Sequence, residues 1–335
     1  MIRLLRVELT RLRWRRAVLL LVAAAIVIPT IILAARAYET RPVSDADRAD
    51  AQEQADVELG FQREQIERCL QAPRQFGIAP DNAERQCERR LSYPVDPEQY
   101  LYREQLRLDS ELSGAGLAVV AVVAVLMLLA GTTYVGHDWG SGSMSNQLLF
   151  ESRRLRVWGA KALAVGLLAL GVGLVALAVF WGGLLAFAQA RDLDPSGQVV
   201  TDVAQQAGRG LAMIVAAAVG GYALTTMVRS TVFTIGVLFG VSVAGGLLFG
   251  ALLPDGALRF EPATNALAVV KGEVTWYVEP PADCAVVVYD MTTTDSDRCA
   301  TQARLTQRGG AVYYGVLLLA LGSASAASYR RRDVP

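Results

Sequence analysis

Long apolar stretches separated by short charged ones set the rhythm of this chain. Residues 17–36, 114–135, 158–188, 209–229, 232–253 and 311–329 are each nearly free of charge. A helix of about 20 such residues covers about 30 Å, the thickness of a bilayer's hydrocarbon core. The pattern predicts six transmembrane helices. Arg209 and Arg229 bracket the fourth at a separation of roughly 29 Å along a helix, which lets each guanidinium reach its own interface. The third run, from Val157 to Ala188, is longer than the core requires and predicts a tilted or projecting helix.

The segments between these runs have their own patterns. Residues 1–16, MIRLLRVELTRLRWRR, place Leu5, Leu9 and Leu12 on one helical face and Arg6 and Arg13 on another. That arrangement predicts an amphipathic elbow helix at the membrane surface, the simpler alternative being a positive flank that only orients the first span. Ala35-Arg36-Ala37 imitates a signal-peptidase site. The apolar stretch before it exceeds the roughly 7–15 residues of a signal sequence, so a retained anchor is expected. Residues 37–113 are rich in carboxylates, and Asp45–Gln71 reads as a helix of Ala, Glu, Gln and Arg. Pro73 to Pro80 breaks it, Asp81 or Asn82 can cap a second helix through Cys87 to Leu91, and Tyr93-Pro94 and Asp96-Pro97 turn the chain back through Glu98–Leu112. Residues 189–208 read as a short polar loop. In 254–310, Val274–Val278 alternates around Trp276 and Ala285–Tyr289 is a β-branched run, so a smaller mixed segment is expected. The fold class that results is an all-α membrane protein of six helices. It has an N-terminal elbow, a helical external domain between helices 1 and 2, a mixed external segment between helices 5 and 6, and a tail at 330–335.

Charge fixes the expected orientation. The chain has 32 basic and 32 acidic residues, but this balance conceals a partition. Arg3 to Arg16, Arg153 to Lys161, Arg229, and Arg330 to Arg332 all fall on one side of a six-span layout. The positive-inside bias then makes that side, and both termini, cytoplasmic. All four cysteines fall on the other side, where disulfides persist. Four cysteines allow three pairings. Cys69–Cys87 and Cys284–Cys299 are favoured because each closes a short loop within one segment, with free thiols the alternative.

Other chemistry is thin. One histidine and four cysteines do not make a metal site of the usual spacing, and no G-x-x-x-x-G-K-[ST] motif is present. No span carries a central Asp, Glu, Lys or His, which argues against a proton-coupled antiporter, an ion pump or an intramembrane protease. His137-Asp138 at a span end reads as a helix terminus rather than a catalytic dyad. The chain is therefore not expected to be an enzyme by itself, to bind a cofactor of its own, or to engage nucleic acid.

The segment GHDWGSGSMSNQLLFESRRLRVWGAKAL, residues 136–163, joins the second and third runs. It holds Asp138, the Gly142-Ser143 pair, a small amphipathic piece Met144–Phe150, then Arg153, Arg154 and Arg156, and Lys161 a turn or two into the next run. This order resembles the cytoplasmic loop between the second and third helices of ABC-2 type transporter permeases. Asp138 stands where that family usually has Glu, Gly142-Ser143 where it has Gly-Thr, and Glu151-Ser152-Arg153 where Pro and small residues precede Arg.

The resemblance implies the membrane subunit of an ABC exporter in the plasma membrane, working with two copies of a cytosolic ATPase subunit that bind ATP and Mg. It implies coupling through Asp138, Gly140, Gly142, Ser143, Arg153, Arg154, Arg156 and Lys161, the arginines holding either the ATPase or lipid phosphates and the glycines bending the loop. It also implies a second permease, identical or related, meeting this one along the second and fifth helices. The small-xxx-small pairs Gly236/Gly240 and Gly246/Gly250 are the candidates for that seam, with packing inside one subunit the alternative. A pathway without charge suggests outward movement of an amphipathic, lipid-like, drug or peptide cargo. A second function class stays open, a non-transporting scaffold or sensor whose acidic external domain binds a partner.

Overall fold

The computed structural model describes residues 1–101, 105–251, 255–279 and 301–331. The chain divides into two compact units, Ala35–Leu106 and the combination of Met1–Ala34 with Arg107–Pro335. The helices are α1 (Ile2–Arg13), α2 (Arg16–Glu39), α3 (Asp45–Gln71), α4 (Ala83–Leu91), α5 (Leu108–Ser113), α6 (Ala115–Gly140), α7 (Ser143–Phe150), α8 (Arg154–Ala190), α9 (Gly197–Val228), α10 (Thr231–Ala251), α11 (Pro262–Lys271) and α12 (Gln307–Arg331), with strands β1 (Glu273–Tyr277) and β2 (Gln302–Thr306) before the last helix.

Among the described residues five helical segments are long and apolar enough to cross a membrane: Arg16–Glu39, Leu108–Gly140, Arg154–Ala190, Gly197–Val228 and Gln307–Arg331. Within α10 the stretch Thr231–Gly246 is also apolar but shorter than these five. The protein is therefore a multi-pass, mainly α-helical membrane protein. Many large apolar side chains of α2, α8, α10 and α12 face outward, among them Leu20, Ile31, Leu174, Phe239 and Leu319, as a lipid solvent permits.

In the larger unit α6 and α9 form the most extensive helix pair, with α8 against both and α12 against α9 and α11. Two glycines allow the close approach of α6 and α9. A Cβ on Gly131 would lie 2.3 Å from the Ala218 carbonyl oxygen, and one on Gly221 would lie 2.6 Å from that of Leu128. Side chains there would force the two backbones apart. The glycines of the third apolar run behave differently from one another: Gly173 faces Leu211 and Ile214, Gly183 faces Leu33, and Gly171 and Gly182 have open space around them.

Helix α9 departs from expectation. It begins at Gly197, within the stretch that reads as a polar loop, because the Ser196 side chain accepts a bond from Val199 N at 3.4 Å and caps a helix that continues into the apolar run. Between α11 and α12, β1 and β2 pair antiparallel with Glu273 opposite Thr306 and Tyr277 opposite Gln302. Strand β1 answers to the alternation around Trp276, whereas β2 and α11 carry no signal strong enough to place them. Ala285–Tyr289, Cys284 and Cys299 lie outside the described residues.

The smaller unit is a helical hairpin. A capping box starts α3: Asp47 N donates to Ser44 Oγ at 3.3 Å, and Ser44 N donates to the Asp47 carboxylate at 2.8 Å. The chain reverses through Gly77, whose φ of +68° suits a residue without a Cβ. Cys69 of α3 and Cys87 of α4 are disulfide-bonded with Cα atoms 6.0 Å apart, as their spacing suggests. Beside them sit Ile78, Ala83 and Leu91, a very small apolar core. Gln62 Nε2 donates to Tyr93 O at 2.9 Å, and the Tyr93 hydroxyl donates to Glu58, whose carboxylate holds the phenol above its usual pKa range. With so little apolar core, the cross-link carries much of the stability. Closing a loop with sequence separation 18 is worth about 3 kcal/mol in the chain-entropy account. Cys69→Ser with Cys87→Ser should therefore make Ala35–Leu106 the first part of the chain cut in limited proteolysis, with the larger unit retained. Unchanged cutting would show that the hairpin holds without the bond.

Candidate functional site

The four basic clusters of the sequence meet at one end of the helix bundle. There α6 ends at Gly140, Ser141 and Gly142 make a tight turn, α7 runs for two turns, and residues 151–153 lead into α8. Gly142 has φ +68° and occupies the left-handed region that this turn requires. Gly140 is the last residue of α6, with open space around it.

Beneath the turn lies a buried ionic cluster. Lys161, on the third turn of α8, is 0 % exposed, and its Nζ donates to Asp138 Oδ2 of α6 at 2.6 Å and to Glu8 Oε2 of α1 at 2.9 Å. Arg15, between α1 and α2, pairs with the other Asp138 oxygen through Nη2 and donates to Tyr134 O through Nη1 at 3.1 Å. Glu8 accepts further bonds from the Tyr134 hydroxyl and from Gln147 Nε2 of α7. The Tyr134 ring lies between the cations, its centroid 5.1 Å from the Arg15 guanidinium and 5.2 Å from Lys161 Nζ. Two carboxylates thus face two close cations, and every charged group has a partner. A buried charge survives only on those terms.

Arg11 extends the network to α7. It donates to Ser143 Oγ at 2.8 Å and to Gln147 Oε1 at 3.2 Å, and lies 3.9 Å from Glu8. The C-terminal helix joins from the other side. The Arg229 guanidinium stands 4.5 Å from the Trp139 ring centroid, Trp139 meets Tyr329 edge-on at 6.1 Å, and the Tyr329 hydroxyl donates to Met144 Sδ at 3.2 Å. Arg154 Nη1 donates to Arg330 O at 3.5 Å. Helix α7 is therefore gripped through Ser143, Met144 and Gln147.

Its far end is not gripped. Leu149 and Phe150 are 81 % and 94 % exposed. Arg153 and Arg156 are exposed beside them, and Arg154 is half-buried. The arrangement is a short helix fixed at its base with an apolar tip and a basic rim. The chain matches no protein-family model, no curated protein and no solved structure.

The residues singled out in the sequence separate into two groups. Asp138 and Lys161 are completely buried and bonded to each other, so their side chains offer nothing to a second protein. They can act only by holding the turn in place. Ser143 is engaged by Arg11, while Arg153 and Arg156 point outward. His137 is exposed and stands outside the cluster. A Cβ added at Gly236, Gly240 or Gly246 of α10 would have no neighbouring atom within 4 Å, and Gly250 lies in the last turns of the same helix. Among the described residues no group of His, Cys, Asp or Glu has the arrangement of a metal site.

Glu8, Arg11, Arg15, Tyr134 and Gln147 join the site without standing out in the sequence. Glu8 does leave a signal, being the only acidic residue among the arginines of the first 16 residues. It also changes the reading of α1. The buried face of this helix centres on Glu8 and Leu12, whereas Leu9 is exposed. The helix is tied through Glu8 to Lys161 of α8 and to the Tyr134 hydroxyl of α6, not merely laid along an apolar stripe.

Proposed function

We propose that the chain is the permease subunit of an ABC-2 type exporter, driven by ATP bound with Mg in a separate cytosolic ATPase subunit. The observation that carries this reading is α7, a helix held at Ser143, Met144 and Gln147 that leaves Leu149 and Phe150 exposed at the basic end of the bundle. A lever needs a fixed base and a grip, and this element has both. The exposed Phe150 and Leu149 would enter a groove on the ATPase, with Arg153 and Arg156 supplying charge at the rim.

In this reading α10 is the fifth span and completes a set of six, the basic end is cytoplasmic, and both termini lie there. The disulfide-bonded unit is external, where the Cys69–Cys87 bond persists. The second permease, identical or related, covers the open face of α10 that bears Gly236 and Gly240 together with Phe233 and Phe239. The cargo is amphipathic or lipid-like and moves outward.

Purification in mild detergent followed by mass spectrometry tests the assembly. A P-loop ATPase and a second permease copy or relative should be recovered together. Recovery of the chain with neither would contradict the proposal and favour the scaffold reading.

A further inference from the structure

At the end of the bundle away from the ionic cluster, α5, α9, α11 and the start of β1 enclose a cleft of about 410 Å³. Helix α9 presents Asp202, Gln206 and Arg209 to it, since positions four and three residues apart share one helical face. Leu112 lies beside Gln206, and Lys271 closes α11 on the other side.

Gln206 is only 4 % exposed, and its Nε2 donates to Leu112 O at 2.6 Å. That bond fixes the amide orientation, because the flipped form would oppose two carbonyl oxygens. Gln206 Oε1 is then left buried and without a hydrogen-bond partner among the described residues, on a residue that lines the cleft. An orphaned acceptor costs about 1–3 kcal/mol and is met by a donor when one is available.

The charges around it are also incomplete. Arg209 Nη2 donates to Gln205 at 2.7 Å, and its Nη1 fits against Gly272, where a Cβ would sit 2.7 Å away and where φ is +104°. Neither Arg209 nor Lys271 has a carboxylate partner among the described residues. Asp202 accepts from Gln198 at 3.1 Å and makes no ion pair among the described residues, while Glu273 pairs with Arg304. Two cations ask for an oxyanion, and the arginine fork suits a phosphate. Asp202 and Gln206 Oε1 ask for N–H donors. Arg209 precedes Arg229 by about 30 Å of helix, which sets the cleft near the opposite headgroup layer.

We propose that this cleft binds a phosphoethanolamine group, with the phosphate between Arg209 and Lys271 and the primary ammonium toward Asp202 and Gln206. A trimethylammonium group has no N–H to donate, so the cleft distinguishes the two headgroups. The inference does not rest on the exporter reading, since binding is measured without any ATPase.

The test is native mass spectrometry of the full-length protein offered phosphatidylethanolamine, phosphatidylcholine and phosphatidylglycerol in equal amounts. Ethanolamine lipid should be retained over choline lipid by about tenfold or more, the worth of a charge-assisted hydrogen bond. Arg209→Gln with Lys271→Gln should reduce its retention by a similar factor at unchanged elution volume, and Asp202→Asn should abolish the preference over choline. Soluble phosphoethanolamine that displaces the lipid would identify a headgroup site open to the free zwitterion. Failure to displace it, with the lipid preference intact, would identify the lipid as the source. Equal retention of ethanolamine and choline lipids by the unaltered protein, a preference for phosphatidylglycerol, or a folded double variant that binds as before would overturn the assignment.

Discussion

Replacing Lys161 by methionine should loosen α1 and α7 together while leaving the α6–α9 pair intact. Lys161 is the one cation shared by Glu8 and Asp138. Without it the cations left to them among the described residues are the Arg11 guanidinium for Glu8, 3.9 Å away and partly exposed, and Arg15 for Asp138. Breaking a buried ion network by removing one member costs about 3–5 kcal/mol, because a charge is left uncompensated. Hydrogen exchange at α1 and α7 should therefore accelerate by about 100-fold or more, with the amides of α9 little changed. The compensated variant separates charge from packing. Removing the other charges as well, with Glu8→Gln, Asp138→Asn and Arg15→Met added, should restore much of the lost protection, since a neutral network carries no desolvation penalty of that size. If Lys161→Met left exchange in α1 and α7 unaltered, the cluster would not be what fixes the turn.

The second large effect is expected at the tip of α7. Leu149→Ala with Phe150→Ala removes two side chains that have almost no contact within the subunit, so membrane insertion and thermal stability should hardly change. If the chain is the proposed permease, binding to its ATPase should suffer strongly. Truncating an aromatic anchor at an interface centre costs about 2 kcal/mol or more, about 30-fold in affinity. Arg153→Glu should add to the loss and leave the fold intact, because that side chain is exposed. Arg154→Glu is a less clean probe, since Arg154 reaches the Arg330 carbonyl. The measurement is ATP-driven transport alongside ATPase activity in reconstituted vesicles, where the variants should show ATP hydrolysis no longer tied to transport. Transport at the original rate would remove α7 from the coupling path.

How much of this is legible in the sequence depends on the range of the interaction. Helix α3 spans Asp45–Gln71 as read, because its capping serine and its run of strong helix formers are local signals. The apolar helices are legible from length and composition, and Cys69–Cys87 from its short spacing. The start of α9 escapes the pattern because a polar helix continues beyond the apolar run, although Ser196 gives a capping signal. Strand β2 is set by its pairing with β1, which no short window contains. The ionic cluster is half legible. Asp138 and Lys161 stand out as charges at the ends of apolar runs, but Glu8 meets Lys161 across 153 positions of sequence. Repeated glycines in α8 and α10 point to tight helix contact. Between α6 and α9 the backbones come close at single glycines, Gly131 and Gly221, each facing a carbonyl oxygen of the other helix.

As the proposed permease, the chain would present the apolar tip of α7, fixed at its base, to a cytosolic motor. A photo-crosslinking amino acid at position 150, activated in intact cells, tests this most directly. A covalent adduct with a P-loop ATPase is expected, identified by mass spectrometry of the linked peptide. A probe at 150 that reacts only with lipid, or that an impermeant quencher added outside the cell can silence, would contradict it.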